Sequence, residues 1–478
     1  MNQRRRFRRT TIISAGLLGF LVGLFWAKQA GGTLTYVTVL LPVVGVMIFR
    51  QRTIVTLILA VMCGFTLGLW RGEMAYQNVA QYDAFFDSKV VVAGRVLDDP
   101  VYDDKGRQDF RVGSVVINDR AMVGQIRVKA HSNGLRRGDT VRIGGKLLEG
   151  FGNYQASMYF ADVEIVGRAR GPIETLRREF FAAVYSVLPE PQASLGLGFL
   201  VGLRSALPDD LDEQLRIAGL THIVVASGFN LTILVRLARR MLAKYSKYQA
   251  FVGSIVLICT FLAITGASPS MVRASVVTVL SLLAWYYGRR FQPVLIILLG
   301  AALTAGFNPL FIWYDLGWWL SFLAFAGVLI LAPLLSAQLY GQKLPPLLMQ
   351  VAIETTAAQI MAMPLILYTF GDMSLVALAA NIAVVPFIPL AMLATFVAGV
   401  AGLILSGSIA AWFAVPAQLV LGYIVSATRF FASPSWAQQA VGVNLAVLVA
   451  LYMAALGLIL VLRKKSKVAF EKLPSVVE

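Results

Sequence analysis

Apolar runs of roughly membrane-spanning length recur along the whole chain. They lie at residues 11–27, 33–49, 53–70, 222–240, 249–266, 271–288, 293–307, 311–334, 347–369, 374–405, 411–431 and 441–462. A helix needs about 20 such residues to cross the hydrocarbon of a bilayer. Inside hydrocarbon the backbone must satisfy its own hydrogen bonds, so an apolar run of this length is confined to a helix. The fold class predicted is a polytopic α-helical membrane protein. Composition agrees: 58% of residues are hydrophobic and 14% charged, against roughly 25% charged in a soluble domain.

Basic residues set the topology. Arg4, Arg5, Arg6, Arg8 and Arg9 precede the first span, and Arg50 and Arg52 separate the second from the third. Further clusters are Arg236, Arg239, Arg240, Lys244 and Lys247, then Arg289 and Arg290, then Arg463, Lys464, Lys465 and Lys467. Such clusters beside spans mark cytoplasmic loops, and contact with a polyanion is the other reading of the +17 net charge. Both termini are basic, so both are expected in the cytoplasm and the number of crossings should be even. Counting 374–405 once, as a helix broken or re-entrant at Pro386 and Pro389, gives about 12 crossings. The N-terminus has the basic start of a signal peptide but lacks a convincing small-residue cleavage site. It is expected to stay as the first helix of a plasma-membrane protein. Cys63 and Cys259 fall inside apolar runs and are expected to pack as small hydrophobes.

Residues 71–170 differ in kind. VVVAGRVL, DFRVGSVVI, GQIRVKA, DTVRIGGKLL and ADVEIVG alternate apolar and polar residues, with Gly, Asp and Asn clusters between them. About five strands at this spacing predict a small all-β barrel, OB-like in type, on the outer face of the membrane. Such barrels often bind single-stranded nucleic acid. Here charge is nearly balanced and strand aromatics are few, so a structural extracellular module is the competing reading. The organisation predicted is three transmembrane helices in 1–70, the barrel in 71–170, amphipathic interfacial helices in 171–218, a helical membrane domain in 219–462 and a basic cytoplasmic tail in 463–478.

Polar residues inside the apolar block point to function, because they are costly where water cannot reach them. GLTHIVVASGFNLTILV places His222, Ser227, Gly228, Asn230 and Thr232 in one run. Arg273 sits among Ser268, Ser270 and Ser275; it either snorkels to an interface or lines an anion path, since one fixed cation beside several hydroxyls suits phosphate. Asp315 could pair with Arg273 or face a cavity. Trp313, Tyr314, Trp318 and Trp319 are an interfacial belt or a stacking surface for bases. Gln359 and Asn381 lie near Pro364 and Pro386, and Glu354 is a further ionisable residue in an apolar run. Two histidines, His131 and His222, make a histidine-based metal centre unsupported. No Walker loop or nucleophile elbow is present, so neither catalysis nor a cofactor is expected.

In order, GLTHIVVASGFNL, SPSMVRAS, NPLFIWYDLGWWLSF, AAQIMAMP and ANIAVVP resemble the competence domain of the ComEC family. These are bacterial channels for DNA uptake in natural transformation. The resemblance extends to the three preceding helices and the OB-like module, and so covers nearly the whole chain. Gly219, His222, Ser227 and Gly228 match the first motif, Arg273 and Ala274 the second, and Asn308, Pro309, Asp315, Leu320 and Ser321 the third. Gln359 and Pro364 match the fourth, Asn381 and Pro386 the fifth. Two departures stand out. Asn230 occupies a position where the family commonly has histidine. The C-terminal metallo-β-lactamase-like domain of many members has no counterpart here, so a separate nuclease is expected.

The resemblance implies a channel that passes single-stranded DNA into the cytoplasm. His222, Ser227, Gly228, Asn230, Arg273, Asp315, Gln359 and Asn381 would lie along the path. A surface DNA receptor and a cytoplasmic ATP-driven motor would be its partners. A transporter of another anionic polymer or metabolite is the alternative, and a membrane-embedded enzyme using His222 and Ser227 a remoter one.

Overall fold

The computed structural model describes residues 7–29, 53–102, 106–132, 134–150, 154–169, 171–203, 207–224, 228–265, 269–288, 292–341, 343, 345–405 and 407–466. The expected span at 33–49, Ser227, Ser268, Arg289, Arg290 and the tail beyond Ser466 lie outside these residues, as do the side chains of residues 228–230. The chain divides into two compact units, one of residues 1–169 and 294–319, the other of 170–293 and 320–478.

In the first unit, α1 (Arg9–Trp26) and α2 (Ile54–Ala80) pack along their lengths through glycine. Gly19 and Gly23 of α1 and Gly64, Gly68 and Gly72 of α2 are buried. A Cβ at Gly64 would fall within 3.0 Å of the Gly16 carbonyl oxygen, and one at Gly68 would crowd the Phe20 carbonyl likewise. Lipid tails are as apolar as side chains, so helices associate in membranes by close packing of this kind. The Trp313 indole donates to the Leu24 carbonyl at 2.9 Å, and the Arg71 guanidinium donates to the Gly306 carbonyl at 2.8 Å. These two bonds tie α1 and α2 to α10 (Pro293–Phe307) and α11 (Leu310–Tyr314).

After α2 come eight strands: β1 (Lys89–Val96), β2 (Val101–Tyr102), β3 (Gln108–Ile117), β4 (Arg120–Ala121), β5 (Ile126–Ala130), β6 (Thr140–Glu149), β7 (Ala156–Tyr159) and β8 (Asp162–Gly167). Five of them close a ring. β1 pairs antiparallel with β3, β3 with β5, β6 with β7 and β1 with β6, while β5 and β7 run parallel. Closure removes the sheet edges. Alternate residues point inward, and Val92, Val112, Ile126, Val128, Ile143 and Met158 form the fully buried core with Tyr82, whose hydroxyl donates to the Val123 carbonyl at 3.2 Å. The sequence reading of about five strands missed the two-residue ladders β2 and β4, which are too short to show a period, and the four-residue β7, which has three consecutive buried residues and so no alternation.

On the barrel surface several cations pair with carboxylates. Arg111 pairs with Asp98, Arg127 and Lys129 with Asp109, Lys146 with Asp87, and Arg168 with Asp139. Hydrogen bonding to Asp109 holds the Arg127 guanidinium above its ordinary pKa.

The second unit opens with α3 (Pro172–Val187), α4 (Gln192–Val201), α5 (Asp209–Ile217), α6 (Thr221–Val224), α7 (Gly228–Leu242), α8 (Lys247–Thr265) and α9 (Pro269–Tyr286). Helix α4 is buried from Ala193 to Val201. An interfacial helix was expected here, but GLGFLV has no polar face to offer a headgroup layer, and α4 is a core helix instead. It packs against α16 (Ile388–Ile404) and α17 (Gly407–Ala432) within the largest apolar cluster.

The helix α12 (Leu316–Ala326) runs through a π-helical turn, Gly327–Leu331, into α13 (Ala332–Tyr340). α14 (Leu347–Phe370) follows, and then α15 (Ala377–Val384), which a 3₁₀ turn at Val385–Phe387 joins to α16. The expected break at Pro386 is thus a single tightened turn inside one helical run. The last helix is α18 (Leu445–Ser466), and β9 (Asp372–Ser374) pairs with β10 (Gln438–Ala440).

Among the described residues nine helices are long and apolar enough to cross a membrane, where about 12 crossings were expected. Of the other three expected spans, 33–49 lies outside the described residues, and two are 15-residue helices, α7 and α10. The chain is a multi-pass membrane protein. Cys63 is half-buried and Cys259 exposed, so Cys259 is not the packed residue expected.

Candidate functional site

The polar residues of the second unit gather on α7, α9 and α14. The approach to them is set by Gly219. It ends α5 with φ of +71°, a left-handed conformation that side chains other than glycine adopt rarely. Its amide donates to the Arg216 carbonyl, and the Leu220 amide to the Leu215 carbonyl. A Cβ there would also press on Ala377. This turn launches the short helix α6, which carries His222. The imidazole hydrogen-bonds the Gly219 backbone. It lies deep among protein atoms, yet its surface is open to solvent.

Helix α7 begins at Gly228 and carries Asn230 and Thr232 in its first turns. Its Leu231 and Val235 pack with Ile258 and Phe261 of α8 and with Met271 and Ala274 of α9. The same packing takes Arg273 out of solvent, to 4% exposure. Arg273 is the fifth residue of α9, close enough to the helix start to reach an interface by snorkelling. Its burial shows that it turns inward instead. Ser275, Thr278 and Ser281 recur at helical spacing along α9 and are also buried. Ser281 donates to the Val277 carbonyl, the back-bond by which a hydroxyl is tolerated in a helix.

Helix α14 supplies a carboxylate. Gln350 donates to Glu354 at 2.8 Å, and the charge of Arg236 on α7 acts on the same Glu354 carboxylate. A charge inside a membrane helix costs at least about 2.5 kcal/mol, and such residues take partners from neighbouring helices. Gln350, one turn earlier on α14, is the hydrogen-bond partner Glu354 takes. The coupling of Arg236 to Glu354 was not foreseen from sequence, although both residues interrupt apolar runs. Gln359, five residues along α14, is half-buried. Pro364 lacks an amide, so the Ile360 carbonyl loses its intrahelical donor.

The remaining predicted residues serve local structure. Asn381 is buried, and its amide nitrogen donates to the Ala377 carbonyl at 2.7 Å, bonding back along its own helix. In the first unit, the Asn308 side chain accepts from the Leu310 amide at 3.2 Å, and Asp315 accepts from the Trp318 amide at 3.1 Å. Asp315 therefore caps α12. Trp318 is 2% exposed and donates to the Thr304 hydroxyl, and Trp319 donates to the Ile312 carbonyl. Trp318 is a core residue, neither belt nor stacking surface, whereas Trp319 and Tyr314 are exposed.

The structure thus packs the helix of Arg273 on the helix bearing Asn230, while Glu354 and Gln359 lie on α14, which packs chiefly on α13, α15 and α18. It places Asp315 in the other unit and gives Asn381 an intrahelical bond. Ser227 lies outside the described residues.

Comparison with known proteins places these observations. The family model described as "Competence protein" matches residues 199–466, which contain α7, α9 and α14. "ComE operon protein 3" of Bacillus subtilis (strain 168) is 25% identical over 236 residues, covering 49% of this chain and 30% of that protein. An "Uncharacterized protein" of Aquifex aeolicus (strain VF5) is 25% identical over 194 residues, 39% of this chain and 46% of its own length. These alignments span less than half the length of either relative. No solved structure matches.

Proposed function

Since this chain belongs to the Competence protein family, that of the ComEC and Rec2 proteins, we propose that it is a plasma-membrane channel through which single-stranded DNA enters the cytoplasm. The observation that carries this reading is the burial of Arg273 on α9, a helix that also carries buried Ser275, Thr278 and Ser281 and packs through Met271 and Ala274 on the helix of Asn230. A guanidinium is always charged and presents several donors, the geometry that meets a phosphate oxygen. Hydroxyls on the same helix offer neutral hydrogen bonds that can be exchanged as a polymer moves. A path needs such weak, repeated contacts, with binding favourable enough to enter and weak enough to leave.

In this reading the barrel stands outside the membrane and both termini inside. Its strand order, with one parallel pair closing an otherwise antiparallel five-stranded ring, supports an OB-like assignment. Because several of its cations, Arg111, Arg127, Lys129 and Arg168 among them, pair with carboxylates, the barrel acts as a scaffold for the entrance and not as the element that grips DNA. A surface receptor delivers the strand, a separate nuclease removes its complement, and an ATP-driven motor in the cytoplasm pulls. No bond-breaking step is assigned to this chain.

The test is transformation frequency with Arg273→Ala and Arg273→Lys, each with membrane-inserted protein quantified. The alanine variant should lose uptake by a hundredfold or more, about 3 kcal/mol for losing a desolvated charge contact, while DNA still binds the cell surface. Wild-type uptake by the alanine variant would remove Arg273 from the path. Unaltered transformation in a strain deleted for the whole chain would favour a carrier of some other anionic polymer or metabolite.

A further inference from the structure

The first unit is assembled from two stretches of chain, residues 1–169 and 294–319. Helix α12 runs from Leu316 to Ala326, so its first turn belongs to this unit and the rest of it to the other. Whatever holds residues 294–319 to the N-terminal helices therefore also holds the root of α12. Two grips do so. Arg71 of α2 donates through Nε to the Gly306 carbonyl at 2.8 Å and through Nη2 to the Phe307 carbonyl at 2.9 Å. Both acceptors lie in the last turn of α10, where carbonyls have no intrahelical donor and a cation meets the negative end of the helix dipole. The Trp313 indole of α11 donates to the Leu24 carbonyl at 2.9 Å and to the Phe25 carbonyl at 3.2 Å, and the Lys28 ammonium stands 4.8 Å from the Tyr314 ring centroid. So α2 holds α10, and the end of α1 holds α11.

The joint between α2 and the barrel is as firm. Domains joined by a linker move against each other unless a sizeable apolar interface stops them. Residues 81–88, between α2 and β1, are no such linker. The Tyr82 side chain is fully buried in the barrel core, and Phe85 and Phe86 pack against the same core. The Tyr82 hydroxyl reaches the Val123 carbonyl at 3.2 Å. The Asp87 amide donates to the Leu147 carbonyl at 2.8 Å, and the Leu147 amide to the Ser88 carbonyl at 3.1 Å. The β1–β6 ladder thus reaches back almost to the helix, and Lys146 pairs with Asp87 at 2.8 Å beside it.

From this geometry we infer that the barrel, α1, α2, α10 and α11 form one stiff lever whose output is the root of α12. A load on the barrel is delivered to α12 and is not absorbed at a flexible neck. The π-helical turn Gly327–Leu331, at the far end of α12, departs from the regular ladder and is the point at which that helix yields. The inference rests on the packing of the first unit and is independent of what crosses the membrane.

The test is pulsed electron spin resonance on the full chain in lipid nanodiscs, with Cys63→Ala and Cys259→Ala removing the native thiols. Spin labels go on exposed positions in pairs, Val166→Cys with Met62→Cys across the barrel joint and Val166→Cys with Phe307→Cys across the α10 joint. Both pairs should give one narrow distance. Tyr82→Ala should broaden both. Freeing that joint by about 10° would sweep Met62, about 27 Å down α2, through about 5 Å. Arg71→Gln with Trp313→Phe leaves the barrel core untouched, so it should broaden the Phe307 pair and leave the Met62 pair narrow. A broad Met62 pair without these substitutions would show a tethered barrel and overturn the inference. So would a Phe307 pair that stays narrow in the Arg71→Gln, Trp313→Phe variant.

Discussion

Gly64→Ala should separate the two N-terminal helices, although it adds a single methyl group. The added Cβ would meet the backbone oxygen of Gly16, its carbonyl carbon and the Phe20 nitrogen, all closer than 3.0 Å. None of these atoms can rotate away as a side-chain tip would. The helices must part until ordinary contact returns, and a gap of about 0.5–1 Å forfeits a quarter to a half of each contact's dispersion energy. With some thirty atom pairs across the glycine seam, each worth about 0.15 kcal/mol, the loss is about 1–2 kcal/mol. This sits within the usual range for overpacking. The better helix propensity of alanine returns up to about 1 kcal/mol.

Gly457→Ala is the matched comparison. A Cβ at Gly457 on α18 has nothing within 4 Å, so the same chemical change there should be neutral or stabilising. The assay is reversible unfolding of the full chain in bicelles by titration with a denaturing detergent. Trp26, at the end of α1, and Trp70, within α2, would report helix separation by fluorescence. Equal stability of the Gly64 and Gly457 variants would refute the argument that backbone contact holds this pair. A larger loss in Gly64→Val than in Gly64→Ala would strengthen it.

Two further outcomes are expected. Asp139 is 1% exposed and accepts from the Arg136 and Ala169 amides and from half-exposed Arg168, so Asp139→Ala should cost the barrel about 2–4 kcal/mol, read as faster amide exchange in β6 and β8. Hydrogen bonding to Arg216 holds Glu213 below its ordinary pKa of 4.5; such a depressed carboxylate stabilises above its unfolded pKa and loses that contribution as pH falls through the folded value. Amide protection in α5, taken relative to the intrinsic exchange rate at each pH, should therefore fall in acid below about pH 4.5, and Glu213→Gln should abolish that acid-dependent step. The effect should be small because the pair is half-exposed.

Most spans were legible because a twenty-residue apolar run admits one structure in lipid. The barrel strands were legible through alternation, but its closure was not. The parallel pairing of β5 with β7 joins segments separated by the whole of β6, and no local pattern encodes it. The glycine seam left a readable signal, Gly64, Gly68 and Gly72 every fourth residue in an apolar helix, the small-xxx-small spacing of packed membrane helices.

Asp315 and Asn308 had a readable alternative too. Each stands just before a helix, where a side-chain acceptor caps free amides. Polarity alone could not distinguish that duty from pore lining. The inward turn of Arg273 and the coupling of Arg236 to Glu354 depend on how α7, α9 and α14 are arranged, which sequence spacing does not reveal.

The matched charges of the barrel bear on speed. An unopposed row of cations would hold a polyanion through counterion release, with affinity growing steeply for each phosphate neutralised. Every such contact lengthens the dwell before the next step. Carboxylates beside Arg111, Arg127, Lys129 and Arg168 cancel most of that gain before a strand arrives. Under the channel function proposed above, a mouth of this kind would retain little and release quickly, so a strand drawn through it would meet low friction, and the rate would be set by the pull from within.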